Sequence, residues 1–193
     1  MCFYPTIYYS YPFKEEIILR LLYTFDKKDY DNSMERSTRS AVRAIIIKQG
    51  KIALIKSDKE GFYKFPGGGI EDGESNISAL IREAREEGGL NIIPETIKAF
   101  GKIREIRKST FYENTIFDHT SYYYFAEITD QISAQELDNY EKELGYRLIY
   151  MDLNEAYQVN YELGKKYHST FIFREAKILE LLTRHFASDN KCY

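Results

Sequence analysis

Residues 67–90 read GGGIEDGESNISALIREAREEGGL, and this stretch decides the architecture of the chain. Three consecutive glycines come first, and they can adopt backbone angles that other residues cannot. A helix is predicted over residues 75–88, beginning near Ser75 and stopping at Gly88-Gly89. The stretch therefore predicts a tight loop that folds directly against a helix.

The predicted helix has an apolar face and a separate acidic face. Glu83, Glu86 and Glu87 share the acidic face, where carboxylates so close together repel one another. Arg82 offsets part of this repulsion, and a divalent cation such as Mg²⁺ or Mn²⁺, which prefers hard oxygen ligands, offsets more. A solvent-exposed face held by Glu–Arg pairs is the alternative for this helix taken alone. The apolar face, which must be buried, consists of Ile77, Leu80, Ile81 and Ala84.

The glycines Gly67, Gly68 and Gly69 add to this chemistry. They let the loop bring a main-chain carbonyl or amide to a metal ion or a phosphate. Mg²⁺ held by few protein groups usually shares its coordination shell with substrate phosphates. The loop and helix together indicate metal-assisted attack on a phosphoanhydride bond.

The spacing of these residues resembles the Nudix box at every defining position of residues 68–90. From Gly68 the order is five residues, Glu74, seven residues, Arg82-Glu83, an apolar residue, one residue, Glu86-Glu87, one residue, a glycine and an apolar residue. The flanking segments are also similar to the Nudix family, so that the resemblance covers about residues 39–157.

The resemblance implies a fold, a reaction and a set of ligands. The fold is an α/β/α sandwich with a mixed β-sheet, which is of the α/β or α+β class. The reaction is hydrolysis of a nucleoside diphosphate linked to another moiety, with Mg²⁺ or Mn²⁺ as cofactor. The metal ligands correspond to Gly67, Glu83, Glu86 and Glu87. Among the catalytic residues, Glu86 and Glu87 act directly, Arg82 orients the carboxylates, and Glu74 fixes the join between loop and helix.

A glutamate after the box is the expected general base, because some family members take it from a later loop. The candidates are Glu113, Glu141 and Glu143, of which Glu143 is the one we select. A box glutamate is the other source of the base, and a solvated loop carboxylate is the alternative reading of Glu143.

Substrate contacts are expected from Lys64, Gly68 and Arg104. Lys64 precedes the glycine loop, and Arg104 shares a strand face with Lys102, where both could touch phosphate. Exposed strand charges are the alternative for that face. An aromatic group could stack on a nucleobase, with candidates in Phe111, Tyr112, His119 and residues 122–125. Signatures of particular Nudix substrate classes are absent, so the substrate is not assigned.

The predicted organisation is an N-terminal extension over residues 1–38, a core over 39–157 and a C-terminal helical extension over 158–193. Residues 14–23 are predicted to be helical, with a strand as the alternative, and residues 26–40 to be a polar linker. A hairpin is predicted at Gln49-Gly50, strands at 96–107, 121–129 and 148–153, and a last helix at 171–186. Residues 135–145 are predicted to be a loop with some helix.

Net charge and cysteine content limit the classes of partner and the cellular location that we expect for this protein. The 193 residues carry a net charge of −3, which argues against nucleic acid and anionic membranes as partners. Two cysteines, Cys2 and Cys192, and the absence of a signal peptide or long apolar run predict free thiols and a cytoplasmic protein. A nucleotide-sensing protein with little turnover is the alternative function. A homodimer joined through the aromatic N-terminal segment is an arrangement that the sequence allows.

Overall fold

The structure is a computed structural model that describes residues 19–189. Cys2, Cys192 and the aromatic N-terminal segment proposed as a dimer contact lie outside the described residues. Within them the chain forms ten strands and four α-helices. The strands are β1 (Leu21–Asp26), β2 (Glu35–Ile45), β3 (Ile47–Lys48), β4 (Lys51–Ser57), β5 (Tyr63–Lys64), β6 (Leu90–Ile92), β7 (Lys98–Lys108), β8 (Thr115–Phe125), β9 (Ile128–Ile132) and β10 (Tyr146–Met151). The helices are α1 (Asn76–Gly88), α2 (Asn139–Leu144), α3 (Leu153–Tyr167) and α4 (Thr170–Asp189), and a 3₁₀ turn covers Pro94–Thr96.

The strands form two main sheets and one small one. A mixed four-stranded sheet has the order β1-β7-β8-β2, in which β7 and β8 are antiparallel and the two outer strands run parallel to their neighbours. A second sheet has the order β10-β4-β3, with β5 also paired to β4. Strands β6 and β9 form a separate pair. The glycine loop pairs with β2, the outer strand of the first sheet, through an isolated bridge between Ala41 and Gly69.

The helices cover the sheets from two sides. Helix α1 buries Ala79, Leu80 and Ala84 in one apolar core. Helices α3 and α4 close a second core on the other side, where Ala156 packs with residues of α4 such as Ile178. The side chains of β2 alternate between these cores, as a strand with two covered faces requires. This arrangement confirms the predicted α/β/α sandwich with a mixed sheet.

Several predicted elements are confirmed. The hairpin turns at Gln49 and Gly50, both of which have positive φ, as a two-residue hairpin turn needs. Helix α1 begins after Ser75, whose hydroxyl caps the Ser78 amide at 3.1 Å, and ends at Gly89 with a φ of 65°. Helix α2 lies within the segment predicted to be a loop with some helix.

Two predictions on the N-terminal side of the chain, and one strand boundary further along it, are wrong. Residues 21–23 belong to strand β1, which pairs in parallel with β7, so the predicted helix is wrong there and its alternative, a strand, is correct; residues 14–18 lie outside the described part of the chain. Strand β2 begins at Glu35 inside the predicted polar linker, since β8 supplies partners for its backbone from Glu35 onward. Strand β8 accordingly begins at Thr115, six residues earlier than predicted. The first residues of β2 are polar and exposed, so their side chains give no strand signal, and this part of β2 is stabilised by pairing with β8.

Helix α4 confirms the last helix predicted at residues 171–186. It places Ile178, Leu179 and Leu182 in the second core. It also buries two charged residues, Arg174 and Glu175, which are 3% and 0% exposed. No helix among residues 19–189 is long and apolar enough to cross a membrane.

Candidate active site

The glycine loop lies flat against strand β2. The Val42 amide donates to the Gly68 carbonyl at 3.0 Å, and the Ala44 amide donates to the Pro66 carbonyl at 2.8 Å. Gly67 has a φ of 139°, and a Cβ atom there would lie 2.1 Å from the Val42 carbonyl oxygen. Only glycine allows this close approach of two backbones.

The next glycine, Gly68, leaves room for a carboxylate of helix α1, which is called the box helix below. A Cβ atom on Gly68 would lie 2.0 Å from Glu83 Oε2. The Glu83 side chain is 14% exposed, and burial raises its pKa above the ordinary value. The Glu83 carboxylate can therefore occupy this position only because the loop has no side chain at Gly68.

Arg82 ties the acidic face of α1 to the loop. Its guanidinium donates to both oxygens of Glu74 at 3.0 and 2.8 Å and to the Gly69 carbonyl at 3.0 Å. It also donates to Glu83 at 2.8 Å and to Glu86 at 3.1 Å. Arg82 thus joins two of the predicted metal ligands, Glu83 and Glu86, and Glu74 at the loop–helix join in one hydrogen-bond network.

Glu87 is the most enclosed of the three helix carboxylates. It is 2% exposed and forms an ion pair with Lys64, which is 5% exposed. Its other oxygen accepts a hydrogen bond from the Gly67 amide at 2.9 Å. Lys64, predicted to bind substrate, therefore lies at the site, but its charge is neutralised by the ion pair with Glu87. Burial lowers the pKa of Lys64 below its ordinary value.

The two late glutamates have different surroundings. Glu143 is 68% exposed and pairs with Lys59 at 2.6 Å on the surface. The structure does not bring it to the box carboxylates, because it lies on the outer side of α2. Glu141, two residues earlier on α2, lines the cleft beside Glu87. Burial and the neighbouring Glu87 raise the pKa of Glu141 to about 7.

These groups surround a cleft of about 490 Å³. The glycine loop and the box helix form one wall, with Glu83 and Glu87 facing inward. Strand β2 forms another wall with Arg39, Ala41 and Arg43. Because the cleft has both carboxylates and arginines in its walls, it can take a ligand that carries negative charge together with its counter-cation.

The inner wall contains a buried ion network that the sequence analysis did not find. Arg174 of α4 pairs with Glu175 and with Glu105 of β7, each at 3.2 Å. Glu175 also accepts a hydrogen bond from the Phe65 amide at 3.1 Å, just before the glycine loop. Helix α4 therefore fixes the backbone just before the glycine loop. The sequence signal for this network was the Arg174-Glu175 pair, which lies within an otherwise apolar stretch of helix.

Arg104, predicted to bind substrate, lies away from this cleft. It donates to Asp118 at 2.7 Å, as does Arg36 at 2.6 Å. Together with Lys102 it lines a separate depression on the other face of the mixed sheet. The strand alternation placed it there, since residues of β7 that face the cleft side are the odd-numbered ones such as Glu105.

The aromatic candidates divide between rim and core. Phe111 is 80% exposed and lines the cleft, and Tyr140 of α2 lines it too and is 63% exposed. Tyr123 and Tyr124 are core residues. His119 lines the cleft, and its ring stacks on Phe117 with centroids 5.6 Å apart.

The donor set fits a hard divalent cation in chemistry. Glu83, Glu86, Glu87 and Glu141 offer carboxylate oxygens, and Glu83 and Glu141 each have a raised pKa that a nearby cation would lower. Among residues 19–189, however, no three His, Cys, Asp or Glu side chains converge as a metal site. Arg82 binds Glu83 and Glu86, and Lys64 binds Glu87.

Comparison with known proteins gives a family match. A family model described as the NUDIX domain matches residues 37–173. Nudix hydrolase 2 of Arabidopsis thaliana is 29% identical over 109 residues, which cover 53% of this chain and 38% of that protein. CTP pyrophosphohydrolase of Escherichia coli (strain K12) is 47% identical over 53 residues, which cover 25% of this chain and 39% of that protein. The chain spans about two-fifths of the length of these curated relatives.

Solved structures of similar proteins include a NUDIX hydrolase from Nitrosomonas europaea. It is 20% identical with a TM-score of 0.46, and the match covers 68% of this chain and 89% of that chain. The E. coli ORF135 protein is 26% identical with a TM-score of 0.40, over 66% of this chain and 81% of that chain.

Proposed function

This chain belongs to the NUDIX domain family, and we propose that it is a metal-dependent pyrophosphohydrolase. Its substrate is a nucleoside diphosphate linked to another moiety, and the products are a nucleoside monophosphate and a phosphorylated remainder. One observation carries this proposal: the glycine loop and the box helix hold Glu83 and Glu87 at the wall of one cleft. A cytoplasmic location and a small-molecule nucleotide substrate belong to the same proposal.

The residues that would hold Mg²⁺ or Mn²⁺ are Glu83, Glu86 and Glu87, with the Gly67 carbonyl as a further ligand. When bound, such an ion stabilises negative charge on the phosphate oxygens and activates water. Arg82 keeps Glu83 and Glu86 in place through its hydrogen bonds to both. Lys64 and the Gly67 amide orient Glu87. Preorganised groups of this kind lose little free energy to rearrangement during the reaction.

Glu141 is our candidate for the group that accepts the proton of the attacking water, in place of Glu143. It lies in the cleft beside Glu87, whereas Glu143 is engaged by Lys59 on the surface. A general base must lie within reach of the water that it deprotonates, and position therefore favours Glu141. Phe111 and Tyr140 at the rim supply exposed rings on which a nucleobase can stack.

The test is phosphate release from a panel of substrates, with Mg²⁺ or Mn²⁺ and a coupling phosphatase. The panel contains nucleoside triphosphates, nucleotide sugars, ADP-ribose, dinucleoside polyphosphates and capped RNA. Glu86→Gln is the variant of choice, because Glu86 is 32% exposed, whereas Glu87 is buried in an ion pair. Glu162→Gln, which changes a surface glutamate of α3 that is 66% exposed, is the matched control.

We expect one substrate class to be turned over by the wild type and by the control and lost in Glu86→Gln. Turnover that is equal in all three proteins would contradict the proposed site. Tight nucleotide binding without turnover of any substrate would instead support a nucleotide-sensing protein.

A further inference from the structure

Three buried polar atoms in the cleft wall have no partner. Among the described residues, the buried side-chain nitrogens and oxygens without a hydrogen-bond partner are Arg43 Nε, Arg43 Nη1 and His119 Nδ1. Arg43 is 7% exposed and His119 is 5% exposed, and both line the same cleft. Buried polar groups in native proteins are nearly always hydrogen-bonded, so two such residues in the wall of one cleft indicate a place where a ligand binds.

The charge of Arg43 is also without a counter-charge. The nearby buried carboxylates already have cationic partners, since Lys64 pairs with Glu87, and Arg174 and Arg107 pair with Glu105. No ion pair joins Arg43 to any residue in the described part of the chain. An uncompensated buried cation is costly, and an anion bound in the cleft would remove that cost.

A second arginine extends the same surface. Arg39 and Arg43 lie on one face of β2, separated by Ala41, whose small side chain leaves the space between them open. Arg39 is exposed at the cleft and, among residues 19–189, also has no ion pair. The two α-carbons are separated by four residues of strand, which is about 13 Å.

His119 fits an uncharged role beside them. Burial and the neighbouring arginines, Arg174 before Arg43, lower its pKa to about 2, so the imidazole is neutral at physiological pH. Its Nε2 lies 2.9 Å from Ser121 Oγ, which leaves Nδ1 directed to no protein group. A neutral ring can hydrogen-bond a phosphoryl group without adding to the repulsion between the arginines.

We propose that Arg43, His119 and Arg39 form a binding site for a phosphoryl group that is independent of the metal ion. This inference rests on the proposed function and narrows its substrate class: the substrate carries a phosphoryl group in addition to the two that flank the cleaved anhydride bond. The box carboxylates and their cation engage the anhydride, while the β2 wall engages the additional group. Guanidinium groups suit this task because they bind phosphate oxygens through paired hydrogen bonds.

The test measures binding of inorganic pyrophosphate in the presence of EDTA by isothermal titration calorimetry. Wild type is compared with Arg43→Gln and with Arg147→Gln as matched control. Arg147 lies on β10, pairs with Asp58 at 2.9 Å and is half exposed, so that its loss changes net charge equally without touching the cleft. We expect affinity for pyrophosphate to fall about 10- to 100-fold in Arg43→Gln and to be unchanged in Arg147→Gln. Arg43→Lys, which keeps the charge but not the paired donors, is expected to be intermediate.

The proposal is overturned if wild type binds no pyrophosphate without metal, or if Arg43→Gln binds it as wild type does. Urea unfolding without ligand is the folding control. Because Arg43 has no partner, Arg43→Gln is expected to unfold at the same or a higher urea concentration; a marked loss of stability would assign Arg43 a structural role and overturn the proposal.

The same experiment separates this inference from the proposed function. Glu86→Gln is expected to bind pyrophosphate in EDTA as wild type does while hydrolysing nothing. If no substrate is hydrolysed but pyrophosphate binding depends on Arg43, the hydrolase proposal fails and the anion site stands. If a substrate is hydrolysed and pyrophosphate binding is indifferent to Arg43, the anion site fails alone.

Discussion

Replacing Gly68 with alanine tests whether the loop positions the Glu83 carboxylate for catalysis. The new Cβ atom would lie 2.0 Å from Glu83 Oε2, whereas ordinary contact begins at 3.4 Å. The carboxylate must therefore move by about 1.4 Å, and it must do so against its hydrogen bond from Arg82. A misplacement of about 1 Å at a catalytic site can cost about 100-fold in rate. We expect kcat to fall by at least about 100-fold, while the fold persists because a flexible side-chain end can yield.

Two neighbouring glycines provide the controls. Gly67→Ala would place its Cβ atom 2.1 Å from the backbone oxygen of Val42 at a φ of 139°, so it is expected to lose stability as well as activity. Gly73 has a φ of 78° but open space around it. Gly73→Ala is therefore expected to cost about 1–2 kcal/mol of stability and to leave kcat unchanged.

The assay combines steady-state kinetics on the substrate found in the panel with urea unfolding of each variant. If Gly68→Ala retains full kcat, the position of Glu83 against the loop is not required for catalysis. If it instead unfolds as readily as Gly67→Ala, the space at Gly68 serves folding and the reasoning is equally refuted.

Three further perturbations address the buried charges. Lys64→Met leaves Glu87 buried without its cation and should lower the free energy of unfolding, measured in urea, by about 3–5 kcal/mol. The double variant Lys64→Met/Glu87→Met should recover much of the lost stability. A double variant as unstable as Lys64→Met would contradict the pairing. Glu175→Gln should lower the same free energy by about 3–5 kcal/mol, because it breaks a fully buried ion pair; a loss below about 1 kcal/mol would show that the pair is dispensable. Hydrogen bonding from Arg104 lowers the pKa of Asp118 below its ordinary 3.8, so this carboxylate stabilises the fold above that pH, and its contribution is lost as the pH falls toward the folded-state pKa. Asp118→Asn should therefore flatten the dependence of the urea midpoint on pH below about 4, and an unchanged slope would refute this.

The strongly patterned parts of the fold were predictable from local sequence. The box helix, its cap at Ser75 and the Gln49-Gly50 turn depend on residues close together in the chain, and the structure has them where they were predicted. Strands β1 and the first half of β2 were not predictable in this way. Most of their side chains are exposed, and their backbones pair with β7 and β8, which come at least 70 residues later.

The candidate site shows the same division. Glu83, Glu86 and Glu87 were assigned by spacing, because one helical turn directs residues three and four apart to one side. The choice between Glu141 and Glu143 was not local, since both lie on α2 and differ only in which of them faces the cleft. The position of Arg104 was likewise not local, because Asp118 on the adjacent strand binds it outside the cleft.

The sequence alone therefore determined three features of this protein: a glycine loop with a permissive backbone, a helix with three carboxylates on one side, and the family to which the chain belongs. Only the tertiary structure decided which distant groups meet that helix. It brought Arg43 from β2, His119 from β8 and Arg174 from α4 to one cleft. The physical reason is that spacing along a helix or strand fixes which side chains share a face, whereas which faces meet depends on how the whole core packs.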